Sequence, residues 1–385
     1  MGSRSLGRAI GFFGVAALAA AAVLGMSWPR TSTHPVSPLD HPTIESRMEQ
    51  TKIDPKGGFE FLAFGDQREL IENDWPAMID MIAGLAAQRD RLLFLVDTGD
   101  IVDDGAHSDQ FRTLADLLRK VGRLPYLAAA GNHEVDQNVR GPARANVASF
   151  LSKIGEPVTP DRLYYKKVVG RVRFLFLDSN DWVYDEGFNV DTKAVTQRAH
   201  EQLEWLVREL ADPAFGPAAT TIVVMHHPII QSSEKHRDHA RRLWNFKYHG
   251  RRLADIFADG GVDLVLVGHT HTYERFTVTR KGDGRAFDLV NLSGKPEPSF
   301  LWFGAGERRA EDLRGNEAGW LYEHGWTGLD GWTVAQNEVI TKDELDQCGL
   351  FHVEGDGGIT LSMCFLGRKP VEPPVRLLWG VSPKR

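Results

Sequence analysis

The chain has 385 residues, of which 42% are hydrophobic and 25% are charged. This composition is typical of a globular protein that is long enough to bury a sizeable core. The formal net charge of −7 provides no basic surface for a nucleic-acid backbone, so we expect no DNA or RNA partner. A phosphorylated partner would have to be bound locally, by metal ions or arginine side chains.

An uncharged apolar run over residues 9–26 follows Arg4 and Arg8. The run predicts export, either as a signal peptide that is cleaved near Ala19 to Ala22 or as a retained anchor, because its length is close to that of a membrane span. We therefore expect a periplasmic or secreted protein. Its membrane contact would be limited to this segment, if the segment is not cleaved.

The rest of the chain divides by composition. Residues 27–56 are rich in Pro, Ser, Thr and His without a helical or strand period, which predicts a flexible linker. One large domain over residues 57–370 and a C-terminal tail over 371–385 follow. Within the domain, residues 294–346 predict an insertion, either an irregular layer packed by its aromatic side chains or a substrate-recognition segment. The tryptophans of this insertion are Trp302, Trp320, Trp326 and Trp332.

From Phe59 onward, short β-type runs alternate with helical patterns, which predicts an α/β domain with many parallel strands. Helices are predicted behind Asp74, with Pro76 in the first turn, behind Ser108 and behind Thr196. The predicted strands are 59–64, 92–96, 126–129, 172–177, 221–225 and 263–267.

Two cysteines, Cys348 and Cys364, flank two short apolar runs that are joined by a glycine-rich turn around Asp356. This pattern predicts a β-hairpin that sets the cysteines opposite each other. In an exported protein they would form either a cross-strand disulfide or two buried thiols on neighbouring strands.

Five of the predicted strands end in residues with metal-binding side chains. Side chains beyond the carboxyl ends of strands in an α/β sheet meet in one crevice, so we expect these groups to converge. The glycine that precedes a ligand in four of the motifs is expected to adopt backbone angles that other residues resist. The motifs are Gly65-Asp66, Gly99-Asp100, Gly131-Asn132-His133, His226-His227 and Gly268-His269-Thr270-His271.

A site of Asp, Asn and His side chains suits zinc, manganese or iron better than calcium or magnesium, which prefer oxygen ligands alone. Two such cations lower the pKa of a shared water and neutralise phosphoryl oxygens during in-line attack. The residue types therefore predict metal-assisted hydrolysis of a phosphate ester.

With these five ordered motifs, extended by Ile101-Val102-Asp103 and by Glu134, the sequence resembles the calcineurin-like metallophosphoesterases. Tyr273-Glu274-Arg275, after the last motif, resembles the purple acid phosphatase branch. The resemblance implies a four-layer α-β-β-α fold, in which a β-sandwich is flanked by helices, with residues 57–370 as the catalytic domain. It also implies a phosphohydrolase with two metal ions, which would be Fe, Mn or Zn.

The resemblance also implies a role for each matched residue. His133 would donate a proton to the leaving group. Asp103 would orient His133, as an Asp does in the serine/threonine phosphatases, at a place where purple acid phosphatases have an iron-binding tyrosine. The implied metal ligands are Asp66 and His271 at one ion, Asn132, His226 and His269 at the other, and Asp100 at both.

One position departs from the family pattern, because Arg68 stands where many members have a histidine. Gln67, a water or the substrate would then complete the first metal site, or Arg68 would bind a phosphate oxygen in bidentate fashion, or the first site would be weakly occupied. His227 is expected to pack behind the site or, less readily, to bind substrate. Histidines away from the strand ends, including His236 and His239, are expected to be ordinary surface residues.

Three functions stay open: a working phosphomonoesterase or phosphodiesterase, a degenerate member that binds metal without turnover, and a surface interaction module. Asp100, Asn132 and His133 are all present, which favours a working enzyme. A phosphomonoesterase is the leading prediction and a phosphodiesterase is the alternative. The expected partner is a phosphate ester.

Overall fold

The computed structural model describes residues 42–68, 75–122, 124–135, 142–154, 156–183, 192–215, 219–232, 236–293, 321, 325–340, 347–367 and 374–377. Within these ranges the helices are α1 (Ile44–Thr51), α2 (Trp75–Gln88), α3 (Ser108–Leu118), α4 (Asn132–Val135), α5 (Ala143–Lys153), α6 (Asn180–Val183), α7 (Thr192–Leu210), α8 (Arg237–Asn245) and α9 (Leu253–Asp259). The first strands are β1 (Gly58–Phe64), β2 (Leu92–Asp97), β3 (Tyr126–Ala128), β4 (Tyr165–Val169), β5 (Val172–Phe176), β6 (Thr220–Val224), β7 (Lys247–Tyr248) and β8 (Arg251–Arg252). The later strands are β9 (Leu264–Val267), β10 (Tyr273–Arg280), β11 (Ala286–Leu292), β12 (Trp332–Ile340), β13 (Gln347–Glu354), β14 (Ile359–Phe365) and β15 (Val375–Arg376).

Two large mixed sheets form the centre of the fold. In the described residues, the first has the order β15-β14-β13-β1-β2-β3 and the second has the order β12-β10-β11-β9-β6-β5-β4. Strands β1, β2 and β3 are parallel to one another, as are β5, β6, β9 and β11. The six strands predicted from the sequence are all present, because each is a largely apolar run buried within a sheet.

The two sheets pack face to face. Strand β5 shows this arrangement, because Phe174 belongs to the cluster between the sheets while Leu175 belongs to the cluster beneath the helices. The ring of Phe174 meets Phe61 and Phe94 of the first sheet edge-on, with centroids 5.3 and 5.4 Å apart. Such pairs add about 0.5–1.5 kcal/mol each beyond the area they bury.

Helices cover the outer faces of both sheets. Buried side chains of α2, α3 and α5 join the cluster of the first sheet, and those of α7, α8 and α9 join the cluster of the second. The predicted four-layer α/β architecture is therefore confirmed. Helix α7 begins at Thr192, four residues before the predicted start at Thr196, while Asp74 lies outside the described residues.

The predicted linker is wrong for residues 44–51, which form helix α1. The Thr43 hydroxyl caps this helix by accepting a hydrogen bond from the Ser46 backbone N–H at 3.1 Å. Ile44 is buried and the Arg47 guanidinium donates to the Leu92 carbonyl at 3.3 Å, so α1 is attached to the first sheet. Its few apolar residues give no clear helical period, which is why the sequence did not predict it.

Two further boundaries differ from the predictions. In the predicted insertion, residues 332–340 form β12, a regular strand at the edge of the second sheet that pairs with β10. Trp326 and Trp332 are buried in the core, whereas Trp302 and Trp320 lie outside the described residues. In the predicted tail, Val375–Arg376 pairs with β14, so the first sheet extends beyond residue 370.

The predicted hairpin around Asp356 is confirmed, since β13 and β14 pair with Cys348 directly opposite Cys364. Of the two alternatives for these residues, the structure shows buried free thiols. The contact with Cys364, together with burial, raises the pKa of the Cys348 thiol well above its ordinary value. The Cys348 thiol is therefore protonated and unreactive while it stays buried.

None of the helices in the described ranges is long and apolar enough to cross a membrane. The apolar run of residues 9–26 lies outside those ranges.

Candidate metal centre

Four donor atoms from four strand ends form one cluster, with the Nε2 atom of His226 at its centre. This nitrogen lies 3.1 Å from Asn132 Oδ1, 3.1 Å from His269 Nδ1 and 3.3 Å from Asp100 Oδ1. The other ring nitrogen of His226 donates to the Thr98 carbonyl at 3.1 Å, which leaves the Nε2 lone pair directed at the cluster. Four buried electron-pair donors at these separations fit a single transition-metal cation.

The pKa values of His226 and Asp100 also indicate that this cluster favours a positive charge. Burial by itself lowers the pKa of His226. The Asp100 carboxylate outweighs this effect, and the pKa of His226 is raised to about 9. Burial raises the pKa of Asp100, yet His226 and His133 together hold it well below its ordinary value. Without a metal ion, a proton on His226 thus supplies the positive charge that the Asp100 carboxylate requires.

Asp66, Asp100 and His226 form a second group, whose donor atoms all lie within 4.8 Å of one another. His271 Nε2 is 3.7 Å from Asp66 Oδ1 and belongs to the same side of the cluster. Asp100 contributes to both groups, and its role as a bridging ligand stays a prediction. Burial raises the pKa of Asp66, and the nearby Asp100 carboxylate adds to that rise while His226 opposes it.

Gln67 provides a further observation beside Asp66. Its side chain is buried, and neither its Oε1 nor its Nε2 atom has a hydrogen-bond partner among the described residues. An unpaired buried amide is costly, at about 1–3 kcal/mol. The residues present therefore fit metal binding, and Gln67 offers an additional oxygen next to the first metal site.

The unusual backbone angles belong to the predicted ligand residues themselves. The sequence analysis had predicted them for the glycines that precede these residues. Asp66, Asp100 and His269 have φ values of 62°, 56° and 75°, in the left-handed region that residues with side chains rarely adopt. Only Gly99, at φ 106°, fits the prediction. Gly131 is needed for space instead, because a Cβ atom there would lie 2.2 Å from the Asp100 nitrogen.

Glu134 holds two of the ligand loops together. Its carboxylate accepts hydrogen bonds from the backbone N–H groups of Asp100 at 2.8 Å, Val102 at 2.9 Å and Gly131 at 2.7 Å. Burial, together with the Asp100 charge, raises the pKa of Glu134 to about 8. The sequence analysis included Glu134 in a motif but assigned no role to it. The structure identifies it as the residue that positions Asp100.

His133 lies at the rim of the centre, with its side chain 25% exposed. Its backbone N–H donates to Asp100 Oδ1 at 3.0 Å, and its ring Nδ1 donates to the Asp103 carbonyl at 2.5 Å. The Asp103 carboxylate is farther away, at 3.7 Å from Nδ1. Asp103 thus contacts His133 closely through its backbone carbonyl and more distantly through its carboxylate, and its orienting role stays a prediction.

Arg68 reaches the same histidine. A guanidinium nitrogen of Arg68 contacts His133 Nε2, and the Arg68 side chain is half-buried. The arginine that stands where many family members have a histidine therefore contacts His133, the predicted proton donor. Its N–H groups are within reach of an anion bound between His133 and the metal ligands.

A sequence model of the calcineurin-like phosphoesterases matches residues 61–273, more than half of the chain. The chain belongs to the calcineurin-like phosphoesterase family. The resemblance predicted from the five motifs is confirmed.

Relatives of this calcineurin-like phosphoesterase include purple acid phosphatases. Purple acid phosphatase 21 of Arabidopsis thaliana is 26% identical over 63% of this chain and 52% of its own length. A probable cyclic nucleotide phosphodiesterase of Moraxella catarrhalis is 30% identical over 45% of this chain and 56% of its own length. The chain thus spans about half the length of these relatives.

A solved structure with the same fold is a purple acid phosphatase from yellow lupin seeds, at a TM-score of 0.54 and 15% identity. The match covers 80% of this chain and 51% of the lupin chain. Together with the sequence relatives, it supports the purple acid phosphatase-like branch that Tyr273-Glu274-Arg275 suggested. The family and its Asp and His clusters indicate divalent metal ions as cofactors of this phosphoesterase.

Histidines behind the centre were only partly predicted. His227 is completely buried, and its Nδ1 atom pairs with the Ser179 hydroxyl at 2.8 Å, so it packs behind His269. His239, expected at the surface, is half-buried, and its Nδ1 lies 2.9 Å from His269 Nε2. The ring of the exposed His236 also stacks on His269, with centroids 4.2 Å apart. Their three-residue spacing at the start of α8 was the available signal.

The end of β5 supports the centre without providing a ligand. Asp178, the residue that follows this strand by two positions, pairs with Arg144 at 2.8 Å. The Asn180 amide donates to the carbonyls of Ala130 and Gly131 at 3.1 and 3.3 Å, just before the ligand Asn132. This strand end therefore fixes the loop that carries Asn132.

Proposed function

We propose that this calcineurin-like phosphoesterase hydrolyses phosphate monoesters with a dinuclear centre of Fe, Mn or Zn. The arrangement that supports the proposal most strongly is the cluster of four buried donor atoms around His226 Nε2, which shares Asp100 with a second carboxylate group. When bound, two metal ions would lower the pKa of an attacking water and neutralise the phosphoryl oxygens. The purple acid phosphatases among the relatives favour a monoester substrate.

The protein's own side chains would position the ester and move the proton. Arg68 would donate hydrogen bonds to a phosphoryl oxygen, because its guanidinium lies beside His133 at the rim. With Nδ1 held by the Asp103 carbonyl, Nε2 of His133 would be the nitrogen that gives a proton to the leaving oxygen, once the Arg68 guanidinium that contacts it has turned to the phosphoryl group. Asp100 would keep this histidine in place through its backbone N–H.

We also propose that the protein is exported, because the apolar run of residues 9–26 follows two arginines. Export would expose the enzyme to phosphate esters outside the cytoplasm. Fractionation of the producing cells, with an antibody against the chain, tests this proposal. Recovery of the full-length chain in the cytoplasm would contradict it.

The function is tested by metal analysis and turnover of the purified chain. Bound metal is counted by mass spectrometry, and p-nitrophenyl phosphate is compared with bis-p-nitrophenyl phosphate in the presence of iron, manganese or zinc. We expect two metal ions per chain and a preference for the monoester. Asp100→Asn and His133→Ala should each lose at least about 100-fold in kcat.

Matched controls are Asp90→Asn and His200→Ala, which replace exposed residues of the same types outside the centre. Both should retain full activity. A preference for the diester would favour a phosphodiesterase, in line with the Moraxella relative. Bound metal without turnover of either ester would indicate a degenerate member, and absence of bound metal would overturn the proposal.

A further inference from the structure

Three histidines form a second cluster of nitrogen donors beside the candidate metal centre. His236 is exposed, His239 is half-buried and His269 is buried. The Nδ1 atom of His239 lies 2.9 Å from His269 Nε2, and the ring of His236 stacks on that of His269 with centroids 4.2 Å apart. We call these three residues the outer cluster, and the donor atoms around His226 Nε2 the inner cluster. The outer cluster is open to solvent at His236 and meets the inner cluster at His269.

The separations in the outer cluster suit a single metal ion. Zn–N bonds are about 2.0–2.1 Å long, which sets two nitrogens on a tetrahedral ion about 3.3 Å apart. The nitrogens of His239 and His269 are 2.9 Å apart, and one nitrogen from each of the three rings lies within 4.8 Å of the other two. A rotation of the exposed His236 ring would close the remaining distance. Three imidazoles and a water are a ligand set that zinc accepts.

The charge state of two of these rings also suits metal binding. Burial and, after it, the Arg242 charge lower the pKa of His239 to about 4, although Asp238 opposes this shift. Both His239 and His269 are therefore neutral, which is the form of histidine that binds metals. Because Arg242 also repels a cation, the cluster suits ions that imidazole coordinates strongly, such as zinc, and not calcium or magnesium.

His269 connects the two clusters through its two ring nitrogens. Its Nδ1 atom lies 3.1 Å from His226 Nε2 in the inner cluster, and its Nε2 atom faces His239 in the outer cluster. A neutral imidazole offers a lone pair on one nitrogen and carries its proton on the other. His269 therefore serves one cluster at a time, and a cation in the outer cluster excludes one around His226.

We infer that His236, His239 and His269 form a separate metal site, which binds one cation of the zinc class while the inner cluster is empty. The site lies outside the proposed dinuclear centre and uses Nε2 of His269, the nitrogen that the centre does not use. When the inner cluster is filled, Nδ1 of His269 belongs to that cluster and the outer site is lost.

The test titrates zinc into metal-free variants whose inner cluster is disrupted. His226→Leu removes the residue that is shared by the other two groups of clustered metal-binding donors in the described part of the chain. Calorimetry of this variant should show one zinc-binding event that depends on His236. Adding His236→Ala should weaken this event at least about tenfold, because loss of even an outer partner of a ligand typically costs that much affinity.

The matched control adds His200→Ala in place of His236→Ala, because His200 is an exposed histidine of α7 that belongs to neither cluster. It should bind zinc as His226→Leu does. Thermal unfolding shows whether each variant is folded. His226→Gln, whose amide has a donor for the Thr98 carbonyl, replaces His226→Leu if the latter is unfolded. Equal zinc binding with and without His236, or no zinc binding in the folded background variant, would overturn the inference.

The exclusion of the two sites is tested in the protein with its inner cluster filled. His236→Ala should then retain the same zinc content as the wild type after dialysis, measured by mass spectrometry. A lower zinc content in His236→Ala would show that this histidine serves the inner cluster, and would overturn the separate site. Both measurements are made without substrate, so absence of ester hydrolysis would overturn only the proposed function.

Discussion

The Nε2 atom of His226 and the Nδ1 atom of His269 face each other at 3.1 Å, although the two residues come from different strand ends. The opposite ring nitrogens are held elsewhere, His226 Nδ1 by the Thr98 carbonyl and His269 Nε2 by His239. Burial and the neighbouring His227 lower the pKa of His269 well below its ordinary value, so this ring is neutral. The inner nitrogens thus form a preorganised cation site.

Metal removal should therefore destabilise the protein. A ligand that binds only the folded state, at 100 times its Kd, adds about 2.7 kcal/mol. We expect treatment with a chelator to lower the Tm by several degrees and added zinc or manganese to restore it, as measured by calorimetry. Asp100→Asn should show a much smaller response. An identical Tm with and without chelator in the wild type would contradict a metal site at this cluster.

His239 should be required for metal affinity, because its Nδ1 atom lies 2.9 Å from His269 Nε2 and orients that ligand. Loss of such an outer partner typically lowers metal affinity about 10–100-fold. We expect His239→Ala to retain less zinc after dialysis against a competing chelator, measured by mass spectrometry. His239→Asn, whose amide oxygen occupies the position of Nδ1, should recover part of the affinity.

The exposed His200 on α7 provides the control for this experiment. His200→Ala should bind zinc as the wild type does. If His239→Ala retained its full zinc content, the contact with His269 would be a packing contact without influence on the metal.

Much of this centre follows from the sequence because the informative residues lie at the ends of apolar strands. Asp66 and Asp100 come directly after buried runs, and parallel strands bring such positions to one edge. The place of Asp100 beside both Asp66 and His226 was predictable through the family motif. The positive φ at both residues was not, because backbone angles of this kind depend on packing around the loop.

Other parts of the site depend on contacts that a linear pattern does not contain. His239 reaches His269 from a helix that is thirty residues away in sequence, and the helix is otherwise rich in charge. Asp103 contacts His133 through its backbone carbonyl. Because every residue has this group, the residue type at position 103 does not predict the contact. Helix α1 is attached through few residues, among them the buried Ile44 and Arg47 and the partly buried Met48. In each case tertiary contacts outweigh local sequence preference.

Glu134→Ala should destabilise the folded protein strongly. It leaves the buried N–H groups of Asp100, Val102 and Gly131 without the carboxylate that accepts their hydrogen bonds. Each unsatisfied buried group costs about 1–3 kcal/mol, so we expect a loss of at least about 3 kcal/mol in the free energy of unfolding. Urea denaturation measures this loss, with Glu49→Ala on the exposed side of α1 as the matched control. A loss as small as that of the control would mean that water replaces the carboxylate.

The carboxyl group of Asp97 should make the stability of the metal-free protein depend on pH. Burial raises the pKa of Asp97 to about 8, against hydrogen bonds from Gly99 N–H and the Tyr126 hydroxyl that lower it. Between its ordinary pKa and pH 8 the folded state binds the proton that the unfolded state releases, so stability falls as pH rises through this window. Asp97→Asn cannot ionise and should lose less stability between pH 5 and pH 8 than the wild type, by urea denaturation in the presence of a chelator. Parallel losses in the two proteins would show that Asp97 is already ionised in the folded state at pH 5.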